Sequence, residues 1–125
     1  MKITPNDLVS FTGTEHYFQT IDKSIVYTDG IQYFARNAGD QGAYWLIDLI
    51  VLDLIPANRD EEFIVVEVVV KNSQAVIRTQ DGNDNYFVTR NLEFTDLAEG
   101  NWKFYVEDGW VGEREVKVIL LPSEH

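Results

Sequence analysis

Residues 42–55 have the sequence GAYWLIDLIVLDLI, an apolar run in which Asp48 and Asp53 are the only charged residues. Asp40 precedes the run as a predicted N-cap, and Pro56 is predicted to end the helix before it, because proline lacks the N–H that a helix interior needs. A helix that is apolar nearly all round lies in a protein core or in a membrane. A membrane span needs about 20 apolar residues. The run therefore predicts a core helix against which the rest of the chain packs.

Length and composition indicate one globular domain over residues 1–125. The chain is 45% hydrophobic and 13% aromatic, which excludes disorder as the main state. It contains no cysteine, so disulfides and thiolate metal sites are excluded. The first residues, MKITPNDLVSF, lack the apolar segment of a signal peptide, and we expect a cytoplasmic protein.

Net charge limits the possible partners. The formal charge is −11, from 10 basic and 21 acidic residues, and no cluster of Lys and Arg is present to bind a phosphate backbone. Two interpretations follow. The acidic surface serves only solubility, or it forms a face that binds a basic surface on a protein partner.

A first helix is predicted directly before the apolar run. Asp29 as N-cap with Gln32 at the third helical position resembles a capping box, and Gly39 is a predicted C-terminal stop. Between them, apolar residues recur at helical intervals: Ile31, Phe34, Ala35 and Ala38. Before this helix, the pattern of residues 11–18 is neither alternating nor helical.

After Pro56 the pattern changes from helical to extended. Residues 63–70 are rich in β-branched side chains and predict a central strand whose unbroken apolar face looks towards the helices: Ile64, Val66, Val68 and Val70. Further strands are predicted between turns at residues 71–74, at residues 81–85 and at Asp108-Gly109. The predicted fold class is α+β, a two-helix unit packed on one face of an antiparallel sheet of about five strands.

Candidates for catalysis are few. Asp48 is expected to be at least partly buried, and desolvation of its carboxyl would make it a general acid, with Glu15 and His16 as companions. The alternative is structural, with Asp48 tethering residues 11–17 or Arg36, and Asp53 is expected to face solvent. We find no serine or cysteine nucleophile motif and no phosphate-binding glycine loop, and two histidines do not suffice for a metal cluster. The sequence therefore predicts neither a metal nor a cofactor.

Acidic residues concentrate at predicted turns, and turns at one end of a sheet lie near one another. Trp110 follows one such turn and is expected to be exposed, as a hydrophobic anchor of an interface. The predicted partner-binding residues are Glu107, Asp108, Trp110, Glu113, Glu115, Asp81 and Asp84, with a further acidic group at residues 60–62.

Five short motifs resemble an uncharacterised family of small bacterial proteins that is filed as a domain of unknown function. These motifs are FTGTE at residues 11–15, YTDG at 27–30, AYWLID at 43–48, FTD at 94–96 and LPSE at 121–124. The resemblance spans almost the whole chain, and residues 111–117 depart from it as an enlarged final hairpin. It implies no activity, catalytic residue or cofactor. It does imply a setting on plasmids, phages and other mobile elements, whose small acidic proteins often block host machinery.

Charge and resemblance together predict a non-enzymatic acidic binding protein. Its partner would be a protein with a basic, nucleic-acid-binding surface, such as a restriction or CRISPR effector, and inhibition would follow from nucleic-acid mimicry. Direct binding to nucleic acid or to a membrane is not expected, and the sequence does not fix the oligomeric state. The alternatives are a small hydrolase-like enzyme that uses Asp48, Glu15 and His16, or a structural protein.

Overall fold

The computed structural model describes residues 3–125. Two helices pack on one face of a seven-stranded sheet, which confirms the predicted α+β class. The strands are β1 (Tyr17–Gln19), β2 (Ile25–Thr28), β3 (Phe63–Lys71), β4 (Gln74–Gln80), β5 (Tyr86–Leu92), β6 (Gly100–Val111) and β7 (Arg114–Leu120), in the spatial order β1-β2-β7-β6-β3-β4-β5. Short 3₁₀ helices at Pro5–Leu8 and Pro122–Glu124 lie near the two termini.

The prediction of about five antiparallel strands was wrong in two respects. The sheet has seven strands, and β2 runs parallel to β7, while every other neighbouring pair is antiparallel. The two strands that the sequence pattern did not reveal, β1 and β2, are only three and four residues long. All four residues of β2 are buried, and a strand that is covered on both faces does not show the alternation that marks a half-buried one.

Helix α1 (Asp29–Asn37) begins one residue earlier than predicted. Its N-cap is Thr28, whose Oγ1 accepts a hydrogen bond from the Ile31 N–H at 3.4 Å. The Asp29 carboxylate accepts instead from the backbone N–H groups of Glu15 and His16, at 2.9 and 3.1 Å. Asp29 thus joins the preceding segment to the helix.

The apolar run forms a second helix, residues 44–57, which we call the core helix. It consists of α2 (Tyr44–Leu49), a π-helical turn (Ile50–Leu54) and α3 (Ile55–Ala57). The predicted start at Asp40 was wrong, because Gly42 adopts φ +85° and a Cβ there would lie 2.7 Å from the Ala35 carbonyl oxygen. The predicted end before Pro56 was also wrong, because the helix continues through Pro56 to Ala57. The widened π turn lies directly before Pro56, whose ring and missing N–H disrupt the regular α-helical ladder.

The hydrophobic core lies between the core helix and the centre of the sheet. Ile64, Val66, Val68 and Val70 of β3 are all buried on the helix side, as predicted. Phe34 of α1 packs edge-on against Trp102 and Phe104 of β6, with ring centroids 5.3 and 4.8 Å apart. The opposite face of the sheet carries a smaller apolar cluster formed by Val26, Val116, Val118 and Leu120.

Of the two carboxylates in the core helix, the one predicted to be buried is exposed, and the one predicted to face solvent is paired. Asp48 is exposed, in a stripe with Tyr44 and Leu52 at intervals of four residues, and it makes no hydrogen bond or ion pair with residues 3–125. Its predicted burial, and its tether to residues 11–17 or to Arg36, were wrong. A core helix that rests on one sheet leaves one of its own faces to solvent, however apolar that face is.

Asp53, predicted to face solvent, holds the sheet to the core helix. The Arg90 guanidinium of β5 donates to both of its carboxylate oxygens, from Nε to Oδ2 at 2.9 Å and from Nη2 to Oδ1 at 3.0 Å. This bidentate pair lowers the pKa of the Asp53 carboxyl. The pair is half-exposed, so water screens much of its strength.

We predict that Asp53→Asn lowers the free energy of unfolding by about 0.5–1 kcal/mol at neutral pH, whereas Asp48→Asn changes it by less than about 0.5 kcal/mol. Because the folded-state pKa of Asp53 lies below its unfolded value, the stabilisation is present above the unfolded pKa. It is lost as the pH falls through the folded pKa. Urea unfolding of both variants at neutral and acidic pH tests this, and a larger loss for Asp48→Asn would contradict it.

Glu124 ties three distant segments together at the N-terminus of α1. Its Oε1 accepts from Thr28 Oγ1 at 2.6 Å and from the Leu121 N–H at 2.9 Å. Its Oε2 accepts from the Gly30 N–H at 3.0 Å and from Thr14 Oγ1 at 3.3 Å. A carboxylate in this position also complements the positive end of the helix dipole.

Glu124→Ala is expected to lower the free energy of unfolding by about 1–3 kcal/mol, because Thr28 and Gly30 lose a partly buried acceptor. Glu113→Ala is the matched control, since Glu113 is exposed and makes no hydrogen bond or ion pair with the described residues. Thermal and urea unfolding measure both variants, and equal stability of the two would refute the role assigned to Glu124.

Candidate functional site

Strand ends from distant parts of the chain meet at one end of the sheet. The antiparallel register of β6 with β3 pairs Glu107 with Phe63, and that of β3 with β4 pairs Val65 with Gln80. On the side of β6 away from β3, Lys117 of β7 pairs with Ile25 of β2. The start of β3, the end of β4, the end of β6 and the starts of β7 and β2 therefore lie at the same end.

This end of the sheet collects acidic residues from segments that are far apart in the chain. We call it the acidic end and define it as Asp22 with residues 59–62, 81–85 and 107–115. Its acidic residues are Asp22, Asp60, Glu61, Glu62, Asp81, Asp84, Glu107, Asp108, Glu113 and Glu115. The basic residues in or next to it are Lys23, Arg59, Arg114 and Lys117. All seven residues predicted to bind a partner are at this end.

The β6–β7 hairpin projects from the acidic end. β6 pairs with β3 only as far as Glu107 but continues to Val111, about 13 Å further at about 3.3 Å per residue. The predicted turn at Asp108-Gly109 was wrong, because both residues lie within β6. The turn is formed by Gly112, at φ +62°, and Glu113, within the segment expected to be an enlarged hairpin.

Because side chains alternate along a strand, Glu107 and Asp108 face opposite sides of the sheet. Asp108 Oδ1 accepts from Lys117 Nζ at 2.8 Å, and Lys117 Nζ also donates to the Glu61 carbonyl at 3.1 Å. Glu107 Oε2 lies 3.0 Å from His125 Nε2, and the His125 ring packs on Phe63 and Tyr105. Both carboxylates therefore have partners within the chain.

The remaining acidic side chains are more available. Glu62, Asp84, Glu113 and Glu115 are exposed and make no side-chain hydrogen bond or ion pair within residues 3–125. Asp81 instead organises the β4–β5 turn, since its carboxylate accepts from the side chain of Asn85 and from the Asn83 N–H, and these bonds lower its pKa.

Trp110 is exposed as predicted, with 63% of its surface accessible, and it pairs across the hairpin with Glu115. A cleft of about 450 Å³ lies beside the hairpin, between the end of the core helix and the sheet. Its apolar lining comes from Ile25, Val51 and Ile55, and its rim carries both charge signs. Large exposed aromatic residues beside such a hollow are typical of protein-binding surfaces.

The weak catalytic candidates do not come together. His16 is exposed, and its Nδ1 lies 3.3 Å from Asp29 Oδ1, while Glu15 is also exposed. Asp48 lies on the outer face of the core helix and shares no hydrogen bond or ion pair with either residue. Within residues 3–125, no three His, Asp or Glu side chains are grouped closely enough to hold a metal ion.

Sequence reasoning missed two contributions to the acidic end. Asp22 arrives there only because β2 pairs in parallel with β7, and the short β2 gave no periodic signal. Lys117 entered the sequence analysis only as the end of the enlarged final hairpin, although its pairing with Asp108 neutralises part of the site. Its position directly opposite Asp108 follows from the hairpin register, which the turn at Gly112 fixes.

The chain matches the family described as "Family of unknown function (DUF6876)" over residues 2–125. It belongs to this family. No curated protein and no solved structure matches the chain. The DUF6876 match confirms the resemblance to a family of unknown function, and the setting on mobile elements stays a prediction. In the part of the chain that the structure describes, no helix is long and apolar enough to cross a membrane.

Proposed function

We propose that the acidic end is a docking surface for a protein with a basic face, and that the protein acts by binding and not by catalysis. The observation that carries the proposal is the convergence of acidic residues from four separate segments around an exposed tryptophan. Exposed carboxylates without partners among residues 3–125 supply long-range attraction, while Trp110 supplies apolar contact area. The two contributions are separable by experiment.

Contacts within the protein already occupy some of the acidic side chains, and the others are available to a partner. Asp108 and Glu107 already contact Lys117 and His125, so a partner gains least from them. The residues proposed to contact the partner are Glu113 and Glu115 of the hairpin and Glu62, whose carbonyl accepts from the Asp108 N–H at the base of the hairpin. Glu113 and Glu115 lie close to Trp110 and project beyond the body of the sheet.

Nucleic-acid-binding proteins are the partner class that this surface fits best, because their binding faces carry clustered Lys and Arg. Carboxylates presented on a projecting hairpin would occupy the sites that phosphates otherwise fill, and inhibition would follow by competition. Restriction and CRISPR effectors belong to this class. Within the proposal, the chain itself binds no nucleic acid.

The prediction is that the variant with Glu62→Lys, Glu113→Lys and Glu115→Lys loses the basic partner that the wild-type chain captures from a host lysate at low salt. The matched control reverses Glu15, Asp48 and Glu93, which are exposed and lie away from the acidic end. Both variants carry the same net charge. The control is therefore expected to retain the partner if binding depends on where the charges lie and not on their sum. Circular dichroism verifies the fold of each.

Affinity for the captured partner should fall steeply between 50 and 200 mM salt, because exposed charges are screened beyond about 8 Å at physiological ionic strength. Trp110→Ala should weaken binding by about tenfold or more while leaving the salt dependence unchanged. Equal loss of the partner in the two triple variants would show that only net charge matters and would refute the docking surface. Capture that is insensitive to both salt and Trp110 would refute it as well.

A further inference from the structure

Strand β5 forms one outer edge of the sheet, and its backbone has donors and acceptors that face away from β4. The two-residue turn between Lys71 and Gln74 makes that pair hydrogen-bonded, so alternate β4 residues from Ala75 onwards bond to β5. Val88 agrees with this pattern, because its N–H donates towards β4, to Thr79 Oγ1 at 3.2 Å. The backbone N–H and C=O groups of Thr89 and Asn91 therefore point outwards, while Phe87 lies at a bulge and has no partner residue in β4.

The β5 edge has one feature that hinders pairing between molecules, a bulge at Phe87, but it lacks most of the others. It contains seven residues, with no proline and no lysine. The charge of Arg90, its only ionic side chain, is paired with Asp53. Arg90 Nη1 also donates to the Thr89 carbonyl at 3.1 Å, which leaves that oxygen a second lone pair. The opposite edge, β1, has only three residues.

Exposed apolar side chains continue along this edge. Tyr86 and Phe87 are 46% and 37% exposed, and Phe94, just beyond the end of β5, is 73% exposed. At the Tyr86 end, a hollow of about 420 Å³ opens between the strand and residues 57–61. Phe94 lies at one end of this edge and the hollow lies at the other. Phe94 of one copy can therefore meet the hollow of a second copy only if the two β5 strands run antiparallel.

We propose that β5 pairs antiparallel with β5 of a second copy of the chain, with Thr89 on the two-fold axis. This register pairs the outward backbone groups of Thr89 with those of its copy and brings Asn91 of each copy opposite the bulged Phe87 of the other. It brings Phe94 of one copy to the hollow of the other. It also points the two projecting hairpins away from each other, at opposite ends of one continuous sheet.

The charge of the chain gives the proposed dimer a characteristic dependence on salt concentration. Each copy carries a formal charge of −11, and the register brings Glu93 of one copy near Asp84 of the other. Salt screens this repulsion, so higher salt strengthens the dimer. The proposed docking of a basic partner responds to salt in the opposite direction, and the two proposals therefore fail independently.

Sedimentation equilibrium of the full chain tests the dimer. The wild-type chain is expected to form a dimer that tightens between 50 and 500 mM NaCl. Thr89→Pro removes an outward N–H and leaves the bonds to β4 intact, so this variant is expected to be monomeric. Thr89→Val, the matched control, keeps the N–H and remains dimeric. If Thr89→Pro does not fold, Thr89→Lys places two like charges at the axis and is expected to be monomeric.

Cross-linking reads out the register. The chain has no cysteine, so Thr89→Cys introduces a single thiol next to its copy on the two-fold axis, where a short bis-maleimide is expected to join the chains. Ser10→Cys, an exposed position away from β5, is the control and is not expected to cross-link. The proposal is overturned if the wild-type chain is monomeric at every concentration and salt. It is also overturned if folded Thr89→Pro or Thr89→Lys stays dimeric, or if Ser10→Cys cross-links as efficiently as Thr89→Cys.

Discussion

The packing of the core helix against β3 and β6 is the contact on which the rest of the structure depends. Val66, Val68 and Leu54 are essentially inaccessible to solvent, and burial of such side chains supplies the main driving force for folding. The contact fixes which face of every strand points inwards, because a slip of one residue would turn all apolar side chains of β3 to the wrong side. The core helix ends at Ala57, and residues 59–62 lead from it into β3 at the acidic end.

The strand register brings acidic residues that are far apart in the sequence to one end of the sheet. Residues 60–62, 81–84 and 107–115 are separated in the chain, but the pairing of β3 with β4 and β6 returns each of them to the same end of the sheet. Part of that charge is then neutralised within the chain by Lys117, and the Glu107 carboxylate contacts the His125 ring. The exposed carboxylates that remain unpaired within the described residues include Glu62, Asp84, Glu113 and Glu115, and the last two lie on the β6–β7 hairpin, close to Trp110. The proposed function thus depends on strand register more than on net charge.

The sequence predicted the elements that have strong local patterns. The core helix, α1, the inward face of β3 and the turn at residues 81–85 were all confirmed, since each is marked by periodicity or by turn-forming residues. The environment of a single side chain was not predictable in this way. Asp48 and Asp53 are five residues apart on the same apolar helix, and only the position of Arg90 on β5 decides which of them is paired. The parallel pairing of β2 with β7 was hidden for a related reason, because long-range pairing leaves little trace in a four-residue strand.

The central claim is that one end of the sheet carries a single, concentrated negative potential. Paramagnetic broadening of backbone amide signals by a cationic nitroxide, compared with that by an anionic one of the same size, measures this potential directly without any partner. We predict that the excess of cationic broadening is largest at residues 59–62, 81–85 and 107–115 together, and that it falls in the variant with reversed Glu62, Glu113 and Glu115. An excess spread evenly over the surface, or centred on the opposite end around Glu15 and Glu93, would contradict the account.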